Sequence, residues 1–307
     1  MAEGTDGGFM EKLAKELSQY GQVAENVSFR TMTTLRIGGN ARIVVYPKNI
    51  LALTQVIREI KEAGAPFKVI GKGSNLLCSD NDFNGVVIRL DRSFTEHYFD
   101  HDICYAEAGC SIIALAYEAM KNSLSGLEFA SGIPATVGGV TFMNAGAYKS
   151  NMADVLQEVF VYRDGQLVWM DAEDCEFGYR TSVFQKHRDW IILAVKIKLS
   201  AGVEEQIRAL MDQRRARRIA SQPLEHPSAG SVFRNPEGRA AWQYIEDIGY
   251  RGKSVGGACV SEKHVNFIVN KGNAKASDFM QLVVEIQQKV KEQFDVELHM
   301  EVEKFNW

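Results

Sequence analysis

The sequence predicts a mixed α and β protein: a first lobe of α/β or α+β type, a second lobe rich in strands, and a third region of helices ending in a strand. Three observations carry that prediction. Residues 41–90 run in the order strand, helix, strand, turn, strand. Between Ile103 and Ser200 strand-like segments dominate, with one strong helical pattern. Beyond residue 203 two long helical patterns bracket a glycine-containing stretch. No internal repeat and no low-complexity segment interrupts this order.

The first nine residues read as an unstructured lead-in, and a helix is expected from about Phe9 to Tyr20. A polar turn and the pair Gly38-Gly39 lead into a strand from Ala41 to Tyr46. Ile50 to Ala63 places Leu53, Val56, Ile57 and Ile60 on one face, the period of an amphipathic helix, and Gly64 supplies its stop. PFKVIG and GVVIRL read as strands on either side of the turn GKGSN, and EHYFDHD (96–102) reads as a loop. The second lobe has the strand ICYAEAG, a helix from Ser111 to Asn122, and the strands VFVYRDG, QLVWMD and WIILAVKIKLS. Helices follow at Glu204 to Ile219 and Ser277 to Phe294, then a terminal strand, VELHMEVEKF. The expected division is a lead-in and helix over 1–32, a two-lobed domain over 33–202 (about 33–102 and 103–202), and a C-terminal domain over 203–307.

Composition excludes several classes. A net charge of −4 and a pI near 5.9 argue against nucleic-acid binding. Nothing approaches an eighteen-residue apolar run, so no membrane span is expected, and no basic segment leads into an apolar core as a secretory signal would. The five cysteines are scattered without a CxxC pair, as expected of buried thiols in a reducing cytoplasm. The histidines do not cluster, so no metal site is expected. The run RRARR, Arg214 to Arg218, reads as a solvated helix face.

Chemistry is suggested first by glycine. From Gly126 to Tyr148 small residues crowd together, including Gly132, Ala135, Gly138, Gly139, Ala145, Gly146 and Ala147. Such a stretch lets backbone amides approach phosphate oxygens, but close packing of helix and sheet wants the same residues. GKGSNLL, Gly71 to Leu77, follows a strand and fits neither GxGxxG nor GxxxxGK[ST]. Two such loops about sixty residues apart, flanked by strands, favour a diphosphate cofactor held between two lobes.

Seven motifs occur in register: TTLRIGGNA, GKGSNLL, GLEFASGIPATVGGVTFMNAGAY, FGYRTSVF, PSAGSVFRNP, SEKHVNFIVN and LHMEV. Together they closely resemble the UDP-N-acetylenolpyruvoylglucosamine reductase family, from about Thr31 to Val302. The short interval between FGYR and PSAGS is similar to the compact subgroup without an inserted tyrosine loop. The resemblance implies a two-lobed FAD-binding domain of the vanillyl-alcohol oxidase (PCMH) type, followed by a smaller α/β substrate domain. It implies reduction of UDP-N-acetylglucosamine enolpyruvate to UDP-N-acetylmuramate in cytoplasmic peptidoglycan precursor synthesis, with NADPH as reductant. No oligomer is required, and a monomer is expected.

By the same resemblance, non-covalent FAD would contact Gly71, Lys72, Gly73, Ser74 and Asn75, together with Gly132, Ile133, Pro134, Ala135, Thr136, Gly138, Gly139, Asn144, Ala145 and Gly146. Ser74 and Asn75 stand where some relatives with this fold carry an attaching histidine or cysteine. Arg180 would stabilise negative charge on the substrate, Ser231 would donate a proton, and Glu301 would work opposite the arginine. Hydride addition to an enolpyruvyl ether leaves an enolate, which a fixed guanidinium suits, and a hydroxyl can complete the reduction. Tyr179, Arg234 and Asn235 would contact the substrate's diphosphate or sugar, while His264 is expected to be structural. Two positions depart from the family: Glu303 and Ser221 stand where relatives often carry basic residues, with Lys304 or Arg218 as candidate replacements.

Overall fold

The computed structural model describes residues 3–307, with side chains from residue 8 onward. Its contacts divide the chain into two compact units that interleave along the sequence. The first comprises residues up to Asn26, Arg42–Lys72 and Asn84–Ala216, and the second comprises Val27–Ala41, Gly73–Phe83 and Arg217–Trp307. Successive stretches of sequence therefore do not map one to one onto compact units.

The first unit is built on two sheets that share one apolar core. A four-stranded sheet has the order Gly21–Ser28, Asn40–Pro47, Phe83–Arg89, Phe67–Ile70, the last two strands running parallel. The helix Ile50–Glu62 is the crossover that a parallel pair requires. It forms because Leu53, Val56, Ile57 and Ile60 bury one face and the Asn49 side chain accepts the Ala52 amide at 2.9 Å. It stops at Gly64, whose φ of +65° other residues adopt only with strain. A five-stranded antiparallel sheet follows, in the order Gln166–Asp171, Leu156–Arg163, Ile191–Lys198, Ile103–Glu107, His97–Asp100. The short helix Val137–Phe142 packs on its central strand.

The second unit has its own core. A three-stranded antiparallel sheet (Ser254–Val255, Ala258–Val260, Ile268–Asn270) is covered by the helix Ala276–Phe294, which buries Phe279, Leu282, Val283, Ile286 and Val290. The start of that helix is capped from far away in sequence: the Asp80 carboxylate accepts the amides of Ala276 (2.7 Å) and Ser277 (3.0 Å). Leu76–Cys78 pairs in parallel with Glu303–Phe305.

Three expectations need correction. The lead-in is helical from Glu3, in a helix Glu3–Leu17, and only its first two residues lie outside those described. EHYFDHD contains the strand His97–Asp100, because Tyr98 and Phe99 find backbone partners in Tyr105 and Cys104. The terminal strand is confined to Glu303–Phe305, since the segment before it changes partner: Met300 forms an isolated antiparallel bridge with Phe233, whereas Glu303 pairs in parallel with Leu76.

Asn270 anchors the Val27–Ala41 segment. It is buried, donates to the carbonyls of Leu35 and Arg36 (both 3.2 Å), and accepts the amides of Gly272 (2.9 Å) and Ala274 (3.2 Å). Asn270→Ala should lower the unfolding free energy by about 2–4 kcal/mol, because several buried backbone groups lose their partner. The urea midpoint checks this; an unchanged midpoint would contradict it.

Candidate functional site

The expected site residues fall into three local groups, two in the first unit and one in the second. The first surrounds Gly71. A Cβ on Gly71 would come within 2.4 Å of the Thr136 hydroxyl oxygen, so only glycine allows the loop to approach that side chain. Thr136 is itself buried and caps Val137–Phe142 by accepting the Gly139 amide at 3.2 Å. The amides of Val137 and Gly138 donate to Cys110 (2.9 Å) and Ala108 (2.8 Å) carbonyls, and a Cβ on Gly138 would meet that of Ala108 at 2.9 Å. Gly138 thus serves close packing, one of the two readings the sequence left open. Ala135 is buried, bonded to Ile112 and Ile133, while Gly132 and Ile133 are half-buried and Pro134 is exposed. Lys72 is exposed, with its Nζ 3.5 Å from the Ser111 hydroxyl and no carboxylate partner among the described residues.

The second group presents Arg180. Gly178 and Thr181 pair with each other (3.1 and 3.3 Å), leaving Tyr179 and Arg180 at the tip of a tight turn. Arg180 sits at φ +57°, a left-handed conformation that costs a non-glycine residue roughly 1–2 kcal/mol. Several bonds maintain it. The guanidinium donates to the Gly146 carbonyl at 2.7 Å, Gln185 donates to the Arg180 carbonyl at 3.1 Å, and the guanidinium lies 5.2 Å from the Tyr179 ring centre. Buried Asn144 ties both sides together by donating to the Gly178 carbonyl (2.9 Å) and accepting the Ala153 amide (2.9 Å). Beside Gly146, the turn residues Tyr148 and Lys149 are both left-handed (φ +56° and +66°) although neither is glycine. The Tyr148 hydroxyl donates to the Arg214 carbonyl at 3.0 Å, and the Arg214 side chain covers the Tyr148 ring at 4.8 Å. Arg214 is therefore half-buried against an aromatic, whereas Arg215 and Arg217 are exposed, as expected for a solvated face at RRARR.

The third group, in the second unit, brings the remaining glycine-loop residues beside Ser231 and Glu301. Gly73 is buried at φ +62°, and a Cβ there would strike the Met32 carbonyl oxygen at 2.7 Å. Ser74 is half-buried. The Asn75 side chain donates to the Glu301 carbonyl (3.1 Å), and its own carbonyl accepts the Glu303 amide (2.9 Å). The Glu301 amide donates to the Val232 carbonyl at 2.8 Å, which sets the glutamate on the segment next to Ser231. The Arg234 amide donates to the His299 carbonyl (2.9 Å) while its Nε is buried without a partner among the described residues. The side-chain oxygen of Asn235 accepts the Ala241 amide at 3.0 Å.

Sequence reasoning missed Asn266. Its amide bonds both backbone groups of Phe233, accepting from the N–H (3.0 Å) and donating to the C=O (2.9 Å). A polar residue among Val265, Phe267, Ile268 and Val269 was the available signal. His264 Nδ1 accepts the Asn266 amide at 3.3 Å, so its ring supports this region from behind. At the departures from the family, the Ser221 hydroxyl donates to the Arg217 carbonyl (2.8 Å) and the Lys304 ammonium lies 5.5 Å from the Trp307 ring centre.

All five cysteines are buried thiols, and burial pushes those of Cys104, Cys110 and Cys175 up to about 12, leaving them neutral. Two histidines shift in opposite directions. Burial, reinforced by Arg251, lowers His264 below 6.5, whereas the hydrogen bond to Glu118 (2.6 Å) raises His97 above it.

Two family models match the chain: an FAD binding domain over residues 41–171, and the C-terminal domain of UDP-N-acetylenolpyruvoylglucosamine reductase over residues 222–305. The UDP-N-acetylenolpyruvoylglucosamine reductase of Bacillus licheniformis is 40% identical over 297 residues, covering 96% of this chain and 98% of that protein. The enzyme of the same name from Anoxybacillus flavithermus is 41% identical, with the same coverage. The crystal structure of UDP-N-acetylenolpyruvylglucosamine reductase from Thermus caldophilus matches with a TM-score of 0.79 at 36% identity, covering 93% of this chain and 100% of that one.

The histidine shifts predict a pH signature. His264, depressed in the folded state, contributes stability that is present above pH 6.5 and lost as pH falls below it. His97, raised, contributes stability that is present below 6.5 and lost as pH rises through its folded value. Between pH 7 and pH 5, His264→Gln should therefore gain stability relative to the parent, and His97→Gln should lose it. Denaturant unfolding at both pH values checks the signs; shifts in the same direction would contradict the assignment.

Proposed function

Because the chain belongs to the UDP-N-acetylenolpyruvoylglucosamine reductase family, oxidoreductases of peptidoglycan precursor synthesis, we propose that it catalyses the NADPH-dependent, FAD-mediated reduction of UDP-N-acetylglucosamine enolpyruvate to UDP-N-acetylmuramate. One observation carries this reading: the backbone bond from Glu301 to Val232, which sets the glutamate beside Ser231 within the matched C-terminal domain.

The residues of the glycine loops fit a diphosphate-bearing cofactor. Gly71 and Gly73 leave no room for a side chain, and the Lys72 ammonium has no carboxylate partner among the described residues. Gly71 and Lys72, with the Gly132–Gly146 stretch of the same unit, would hold the cofactor. Since Val137 and Gly138 already spend their amides on protein carbonyls, that stretch would contribute shape more than those two donors. FAD, when bound, supplies a two-electron carrier between NADPH and the enolpyruvyl ether.

The chain's own residues would then manage charge and protons. Hydride addition at the β-carbon places negative charge on the substrate carboxylate. Arg180 offers a planar guanidinium, and the bond to Gly146 helps to orient it, so it would meet that charge with little reorganisation. Removing such a donor typically raises a barrier by roughly 2.7–4 kcal/mol. The Ser231 hydroxyl would deliver the proton to the α-carbon, completing the lactyl ether, with the Glu301 carboxyl as a second functional group of the same unit. Arg234, whose Nε is buried without a partner among the described residues, and Tyr179 and Asn235 would bind the nucleotide's diphosphate or sugar.

An anaerobic experiment tests the reading. NADPH should bleach the bound flavin, and UDP-N-acetylglucosamine enolpyruvate should restore its colour. Ser231→Ala should leave bleaching within about twofold and slow restoration by roughly 10²-fold or more. Restoration by oxygen alone would point to an oxidase, no bleaching to a non-catalytic flavin binder, and an unaffected second step would remove Ser231 from the chemistry.

A further inference from the structure

We propose that Asn266 is a positioning residue for this reaction, fixing the Ser231 hydroxyl and the Glu301 carboxyl relative to one another through the backbone of Val232 and Phe233. The proposal rests on the roles given above to Ser231 and Glu301.

The segment from Val232 to Arg234 is held along both edges. On one edge, Val232 donates to the Asn266 carbonyl at 2.8 Å, and the Asn266 side chain closes on both the N–H (3.0 Å) and the C=O (2.9 Å) of Phe233. On the other edge, the Val232 carbonyl accepts the Glu301 amide at 2.8 Å, and the Arg234 amide donates to the His299 carbonyl at 2.9 Å. Asn266 therefore does with a side chain what a neighbouring strand would do with its backbone. A slip of Phe233 would carry Ser231, two residues before it, and Glu301, bonded to the residue between them.

The chemistry of the position is specific. Phe233 is 1% exposed and Asn266 4%, so their four polar groups have little access to water and must satisfy one another. A primary amide offers an acceptor and a donor at this spacing, which an ionised carboxylate does not; an apolar residue would fill the volume and leave the Phe233 peptide groups unpaired. The clamp is itself oriented. The Asn266 N–H donates to His264 Nδ1 at 3.3 Å, and the His264 ring packs edge-on against Phe267, with centres 5.0 Å apart.

Asn266→Ala and Asn266→Asp, as flavin-loaded enzymes, test the proposal. A displacement on the order of 1 Å at a reacting group lowers a rate by roughly 10²-fold. The alanine variant should accordingly reoxidise with UDP-N-acetylglucosamine enolpyruvate about 10²-fold more slowly while NADPH bleaches its flavin at close to the parent rate. Independently of turnover, the amides of Phe233 and Glu301 should exchange with deuterated water faster than in the parent, and those of the Ile191–Lys198 strand should not. The aspartate variant keeps the acceptor but cannot donate to the Phe233 carbonyl while ionised. Its reoxidation rate should recover as pH is lowered and the carboxyl gains a proton, a rise absent in the parent. Equal slowing of both half-reactions, loss of flavin, or the absence of a pH-dependent recovery would make Asn266 a general structural residue and overturn the proposal. Ser231→Ala is run alongside: if it leaves reoxidation unchanged the catalytic reading itself fails, whereas a slow Ser231→Ala beside a normal Asn266→Ala removes Asn266 alone.

Discussion

The hydrogen bond between the Glu301 amide and the Val232 carbonyl is the constraint on which the rest of the second unit's site depends. It joins the end of the chain to the segment after Ser231, and the Glu301 carbonyl is held in turn by Asn75 of the glycine loop. Glu301 is thereby fixed by its backbone from both directions before its carboxyl does anything. The parallel pairing of Leu76–Cys78 with Glu303–Phe305 continues the same constraint, and the Asp80 cap on the helix Ala276–Phe294 secures the loop's far end. Residues distant in sequence thus become one local framework.

The first unit applies the same logic with different groups. Arg180 is kept in a left-handed conformation at the tip of a turn, and the bonds that keep it there come from Gly146, Asn144 and Gln185. Strain of this kind persists where the surroundings overdetermine it. The neighbouring Tyr148-Lys149 turn carries two further left-handed residues, again braced, here by Arg214. A rigid guanidinium acts on charge without first reorganising, which is what the proposed reaction asks of it.

Periodic features were legible in the sequence. The face of Leu53, Val56, Ile57 and Ile60 defined its helix almost to the residue, because burial follows the helical period directly. Features set by long-range partners were not. Nothing local in Asp80 announces a cap nearly two hundred residues away, and nothing in VELHMEVEKF says that Met300 and Glu303 choose different strands. The strand at His97–Asp100 was hidden for the same reason, since its partner backbone decides it. At the candidate site, motif order singled out Arg180, Ser231 and Glu301, and named Asn144 only as a cofactor contact and Asn266 not at all, because the role of a buried amide lies in which carbonyl it reaches. Glycine was ambiguous in sequence and resolves by position: Gly71 permits an approach to Thr136, while Gly138 permits packing on Ala108.

The central claim is that Ser231 and Glu301 act as one unit because one backbone framework holds both. A double-mutant cycle on flavin reoxidation by the enolpyruvyl nucleotide, using Ser231→Ala, Glu301→Gln and their combination, addresses it most directly. Residues that act together lose their effect together. The account predicts a double variant within about threefold of the slower single variant. A double variant slowed by the full product of the two single effects would contradict it.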